Sequence, residues 1–213
     1  MKTFDQFQVE MGQFLNLSQK CEKRFDMNPW AAIPILNEDG AQSYDAHYVH
    51  HTAWAARVLA ETKPKKHVDI GSLLYFSTIL SAFVNIEHYD MRPTDLFIPG
   101  LFIGQADLMA LPFEDNSIES LSCMHVVEHC GLGRYGDPLD PDGDLKAMRE
   151  LQRVLAPGGQ LLFVVPVGKP EIVFNAHKIY DPKQILKVFE GLEWGLDEPT
   201  PGCGCFLFKK VQA

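Results

Sequence analysis

From Lys66 onward, short apolar runs alternate with stretches of helical periodicity, and this rhythm is the strongest constraint the sequence places on its fold. The runs are HVDIG (67–71), VNIEHYD (84–90), LFIG (101–104), SIESLSCM (117–124), QLLFVVPV (160–167) and CFLFKK (205–210). Helical stretches occupy 73–83, 144–155 and 182–190. Strands that are apolar throughout, separated by helices, bury both faces of a parallel sheet. The expected fold class is therefore α/β, a doubly wound, Rossmann-like, mostly parallel sheet. In such sheets ligands bind beyond the carboxyl ends of the strands, where the strand order reverses. That rule directs attention to Gly71, Asp90, Asp107 and the stretch after Met124.

Upstream, Phe4, Phe7, Met11, Phe14, Leu15, Cys21 and Phe25 recur mostly at helical spacing, so residues 4–25 read as an amphipathic helix. A proline-broken connection follows, through Pro29, Pro34 and Gly40. A second helix is expected at about 43–61, carrying Tyr48, Trp54, Ala55, Val58 and Leu59, with Tyr48 and Trp54 read as packing residues. Residues 1–62 thus form an N-terminal helical extension packed on an α/β domain at 63–213, one compact unit in all.

With 46% hydrophobic and 22% charged residues, the chain can bury a sizeable core. The net charge of -9, from 28 acidic and 19 basic residues, argues against a phosphate backbone as partner, so no nucleic acid is expected. Asp5 and Glu10 interrupt the apolar run that a signal peptide needs, and Leu161 to Val167 is too short for a membrane span. The five cysteines include no C-x-x-C pair, which suits reduced thiols and a cytoplasmic setting. Cys203 and Cys205 alternate as strand residues do, and a metal there would need further ligands. His47 and His51 lie four apart on a helix but have no third ligand apparent in the sequence, so no metal is expected. Asp137, Asp140, Asp142 and Asp144 read as a solvated loop whose last acid caps a helix.

Three motifs, in order and at matching spacing, carry a resemblance covering roughly 66–168. DLMALPFEDNSI at 107–118 is similar to a D-x-x-x-LPF-x-D-x-S-[FI] stretch, and ELQRVLAPGGQL at 150–161 to E-x-x-RVL-x-PGG-x-L. The third is VDIG at 68–71, with Asp90-Met91 beginning nineteen residues after Gly71. Together they resemble the class I S-adenosylmethionine-dependent methyltransferases, and a subgroup of methyltransferase-like proteins of uncharacterised function. The resemblance implies that S-adenosylmethionine is the cofactor. Asp90 would accept from the ribose hydroxyls, Met91 cover the adenine, Asp107 accept from the adenine amine, and Asp69 orient the turn and the methionine end. Gly71, Ser72, Leu108 and His125 complete the expected cofactor contacts. The resemblance departs at Leu73 and Tyr75, which stand where D-x-G-x-G-x-G has its later glycines.

Methyl transfer needs an acceptor held in line and, for a hydroxyl or ammonium acceptor, a base. His129 is the first candidate, with Tyr135, His177 and His125 behind it; a structural role for His129 is the alternative. The expected activity is methyl transfer to a small-molecule acceptor, such as a sugar or metabolite, and a homo-oligomer is left open. Two rival readings are a non-catalytic binding or assembly protein that has lost the cofactor, and a nicotinamide-dependent oxidoreductase. The lack of G-x-G-x-x-G weighs against the second.

Overall fold

The structure is a computed structural model describing residues 2–20, 28–34 and 44–212. It divides into two units, Met1–Tyr44 and Asp45–Ala213. In the first, helix α1 (Phe4–Ser18) starts in a capping box: Thr3 Oγ1 accepts from the Gln6 amide, and Gln6 Oε1 accepts from the Thr3 amide. The helix is shorter than the periodicity suggests, and residues 21–25 of that stretch lie outside the described residues. A single 3₁₀ turn follows at Pro29–Ala31, and the expected connection at 37–40 is also outside them.

The second unit opens with helix α2 (Ala46–Thr62), capped by the Asp45 side chain on the Tyr48 amide. Helix α2 thus falls in the second unit, whose first residue is Asp45. Ala55 and Leu59 of α2 are buried in one of the sheet's two core clusters, so this helix belongs to the sheet. There follow β1 (Lys66–Ile70), α3 (Leu74–Leu80), β2 (Asn85–Asp90), β3 (Leu101–Gln105), β4 (Ile118–Met124), α4 (Gly143–Val154) and β5 (Leu155–Pro166). A small ribbon, β6 (Glu171–Val173) with β7 (His177–Ile179), precedes α5 (Pro182–Val188), β8 (Glu193–Asp197) and β9 (Cys203–Lys209).

The main sheet has the order β3-β2-β1-β4-β5-β9-β8. The first five strands are mutually parallel, and β9 runs antiparallel between β5 and β8. The doubly wound reading holds, with the switch point between β1 and β4. Strand β5 shows why its sequence is apolar without alternation. Leu161, Phe163 and Val165 join the core containing α4 and α5, while Leu162 and Val164 join that containing α2 and α3, and all five are fully buried. Among the described residues no helix is long and apolar enough to cross a membrane.

The two longest motifs turn out to be one joint. Glu150 Oε2 accepts from the Leu111 amide (2.8 Å), while Arg153 donates to the carbonyls of Leu111 (3.0 Å) and Phe113 (2.8 Å) and to Asp115 (2.7 Å). The LPF segment is thereby fastened to α4, which fixes the β3–β4 connection and, with it, Asp107 at its head.

Candidate active site

A cavity of about 410 Å³ opens at the carboxyl ends of β1, β2 and β4. Its wall takes Gly71, Ser72 and Leu73 from the β1 turn, Asp90, Met91 and Arg92 from the end of β2, and Asp107, Leu108 and Met109 from beyond β3. His125, Val126, His129, Tyr135 and Asp137 follow from beyond β4, and Tyr48 comes from α2. The structure therefore brings together nearly all the residues singled out in the sequence. The exceptions are Asp69, which is wholly buried beneath the turn, and His177, which lies on β7 outside the lining.

Gly71 has φ +69°, and its amide donates to the Tyr89 carbonyl at 2.8 Å. A Cβ there would stand 3.0 Å from a Val126 methyl, so both conformation and space call for glycine. Ser72 Oγ accepts from the Met124 amide at 3.0 Å and ties the turn to the end of β4. Leu73 lines the cavity with an ordinary φ of -56°, so its backbone does not require a glycine; Tyr75 is 74% exposed and outside the lining. Asp90 and Asp107 each fold one carboxylate oxygen onto the amide two residues on, Arg92 at 2.7 Å and Met109 at 2.9 Å. Each keeps a second oxygen for another donor.

Below the turn, the Asp69 carboxylate accepts from Ser77 (3.1 Å), from Ser122 and from His88 Nδ1 (2.8 Å). Burial works against its charge, but the contacts with His88 and Ser122 outweigh burial and hold the carboxyl below its ordinary value. In the same way burial is outweighed at His88, whose imidazole is raised by Asp69. His67 beside them bridges Ser120 (2.8 Å) and Ser122 (2.9 Å), and burial lowers it to about 4. Asp69 thus acts on the turn from underneath, through a buried ion pair.

His129 is half-buried, and its Nδ1 hydrogen is committed to the Ala176 carbonyl at 2.6 Å. That contact fixes the tautomer with the lone pair on Nε2, the form a general base needs. The Tyr135 ring meets His129 edge-on at 5.6 Å, and the guanidinium carbons of Arg92 and Arg134 lie 4.7 and 5.1 Å from its centroid. Asp137 accepts from the amides of Gly131 (2.8 Å), Gly133 (3.3 Å) and Tyr135 (3.2 Å). Burial opposes its ionisation, but those backbone donors win and lower its pKa.

The acidic run is not the solvated loop expected. Asp137 is held by the amides of its own loop, and Asp144 is buried against Lys178 (2.5 Å) and Tyr180 (3.0 Å). The N-cap position of α4 falls on Asp142, whose side chain makes no capping bond.

The sequence reading also missed a cluster behind the cavity. His47 of α2, His125 and Cys203 of β9 offer ligand atoms within 4.8 Å of one another. Cys203 and His47 were each noted for want of further ligands, and only the topology supplies them.

The family model described as a Caenorhabditis protein of unknown function, DUF268, matches residues 113–197. An uncharacterised protein of Methanocaldococcus jannaschii, MJ0638, is 33% identical over 89 residues, a match spanning 40% of this chain and 34% of that protein's length. A putative methyltransferase of Bacillus halodurans matches 68% of this chain and 71% of its own, with a TM-score of 0.54 and 19% identity. The 1,6-didemethyltoxoflavin-N1-methyltransferase of Burkholderia thailandensis was solved with 1,6-didemethyltoxoflavin and S-adenosylhomocysteine bound. It matches 78% of this chain and 79% of its own, with a TM-score of 0.52 and 11% identity. At such identities the likeness is one of fold: the chain has the class I methyltransferase fold.

Proposed function

We propose that this chain, built on the class I methyltransferase fold, binds S-adenosylmethionine and transfers its methyl group to a small-molecule acceptor. The observation that carries the reading is the meeting of Gly71, Asp90 and Asp107, from three separate strand ends, in one cavity of about 410 Å³. That volume lies within the roughly 300–1,000 Å³ usual for small-molecule sites, and it is present with Leu73 already in the wall. That the cavity stands with Leu73 in its wall supports the reading.

The cofactor supplies an electrophilic methyl group on a sulfonium. Asp90 holds the ribose through its second carboxylate oxygen, and Asp107 accepts from the adenine amine. Met91 and Leu108 give the adenine apolar cover, while Gly71 and Ser72 set the turn beside the methionine end. His129 Nε2 takes the acceptor's proton. Tyr135, with Arg92 and Arg134 against its ring, shapes the acceptor side, and His125 serves as wall rather than base because both its ring nitrogens are engaged. His177 has no part in this scheme; its neighbour Ala176 does, through the carbonyl that orients His129.

Thermal unfolding with S-adenosylhomocysteine, with NAD as the control, tests the reading. Ligand at a hundredfold above its Kd stabilises by about 2.7 kcal/mol, a Tm rise of roughly 5–10 °C for a chain of this size. The rise is expected with S-adenosylhomocysteine alone. Asp90→Ala is expected to reduce it far more than Asp142→Ala. The absence of a rise at millimolar ligand would favour the binding or assembly reading, with Leu73 as the obstruction.

A further inference from the structure

We infer that His47, His125 and Cys203 form a binding site for a zinc-class divalent metal ion, set in the wall behind the cavity. The three come from α2, from the turn after β4 and from the start of β9, so an ion there would clasp three elements that meet only through the topology. Cys203 Sγ lies 3.8 Å from His125 Nε2. Tetrahedral zinc, with Zn–S of about 2.3 Å and Zn–N of about 2.0–2.1 Å, separates such a pair by about 3.5 Å. The contact is therefore close to a coordination edge. One thiolate with two imidazoles is a soft and borderline donor set that suits zinc and cobalt, not magnesium or calcium.

The surroundings match what such ligands need. His125 is held at φ +57°, an uncommon conformation for a side-chain-bearing residue, and its Nδ1 lies 2.8 Å from Glu128 Oε1. Metal-bound imidazoles are regularly oriented by a carboxylate on their other nitrogen. With the Nδ1 hydrogen on Glu128, Nε2 turns its lone pair toward the sulfur. His51 adds an independent observation: its Nδ1 is bonded to the His47 carbonyl at 2.6 Å, while its fully buried Nε2 has no hydrogen-bond partner. Its ring lies 4.9 Å from that of His125, so an unpartnered buried imidazole borders the cluster without being one of its three converging ligands. His47 Nε2 contacts the Pro201 carbonyl at 3.2 Å, a bond that a metal takes over or that stays in place while Nδ1 binds. On binding, the Cys203 thiol loses its proton to solvent and the sulfur carries the negative charge. No other His, Cys, Asp and Glu set among the described residues is placed this way.

The test uses the full chain, stripped with a chelator under reducing conditions and titrated with zinc against a chromogenic competitor, then with cobalt. Binding of one ion per chain is expected, with a thiolate-to-cobalt charge-transfer band. His47→Ala and Cys203→Ser are each expected to weaken binding by more than about 100-fold, beyond the 10–100-fold typical of outer-shell changes. Circular dichroism reports whether each variant is folded. His47 sits half-buried on the first turn of α2, so its variant decides the matter if Cys203→Ser does not fold. Wild-type affinity no better than that of the folded variant, or no thiolate band, would overturn the site. Neither readout involves S-adenosylmethionine, so this result stands apart from that of the cofactor test.

Discussion

Asp69→Ala is expected to destabilise the chain by about 3–5 kcal/mol, the cost of removing one partner from a buried ion pair. The carboxylate is wholly buried and accepts from Ser77, Ser122 and His88, and deleting it leaves Ser77 and His88 with only their mutual contact and Ser122 with only His67. The His88 imidazole loses the partner that raises its pKa and is left to the effect of burial, which favours the neutral ring. Asp69→Asn keeps the shape and an acceptor oxygen but not the charge, so its loss is expected to be smaller. Urea unfolding of the two variants measures both. A loss below about 1 kcal/mol for the alanine variant, within the range of ordinary substitutions, would show that the pair contributes nothing. The same substitution is expected to reduce S-adenosylhomocysteine binding, because the pair supports Gly71 and Ser72 from below, although Asp69 itself does not line the cavity.

Asp69 also marks where sequence reasoning stops. Its position at a strand end was legible, because strand periodicity and the Gly71 turn locate it. Its buried partners were not, because Ser77, His88 and Ser122 reach it from three different elements. The central strands were legible for a simple reason: burial on both faces makes a strand such as 160–167 apolar throughout. Strands β8 and β6 were not. Every residue of β8 and of β6 is exposed, so both are held by backbone pairing and leave no apolar signature.

The site shows the same division. Asp90 and Asp107 were found because the switch-point rule operates along the chain, strand by strand. Tyr48, Arg92 and the His47–His125–Cys203 cluster depend on side chains meeting across elements, with His47 touching Pro201 at a separation of 154 residues. His177 was proposed from its residue type, and the structure places its neighbour's carbonyl, not its ring, at the site.

Acid is expected to destabilise this protein well above the pH at which its carboxylates titrate. Burial lowers His67 and His51 from 6.5 to about 4 in the folded chain. For a group held neutral in this way, the unfolded chain takes up a proton first. Stability is therefore full above about pH 6.5 and is lost as pH falls toward 4. At about 1.36 kcal/mol per pH unit, each histidine accounts for about 3 kcal/mol across that window. No raised histidine offsets the loss. His88 and His125 have folded pKa values above 6.5, so their contribution is complete below 6.5 and changes only as pH rises through the folded values. Asp69, lowered from 3.8, begins to lose its contribution only below the window. Urea unfolding of chelator-treated protein at pH 7, 5.5 and 4 measures the slope. His51→Leu is expected to remove about half of it, whatever the variant does to stability at pH 7. A flat profile between pH 7 and 5, or a slope unchanged by His51→Leu, would show that these two rings accept protons in the folded state as readily as in water.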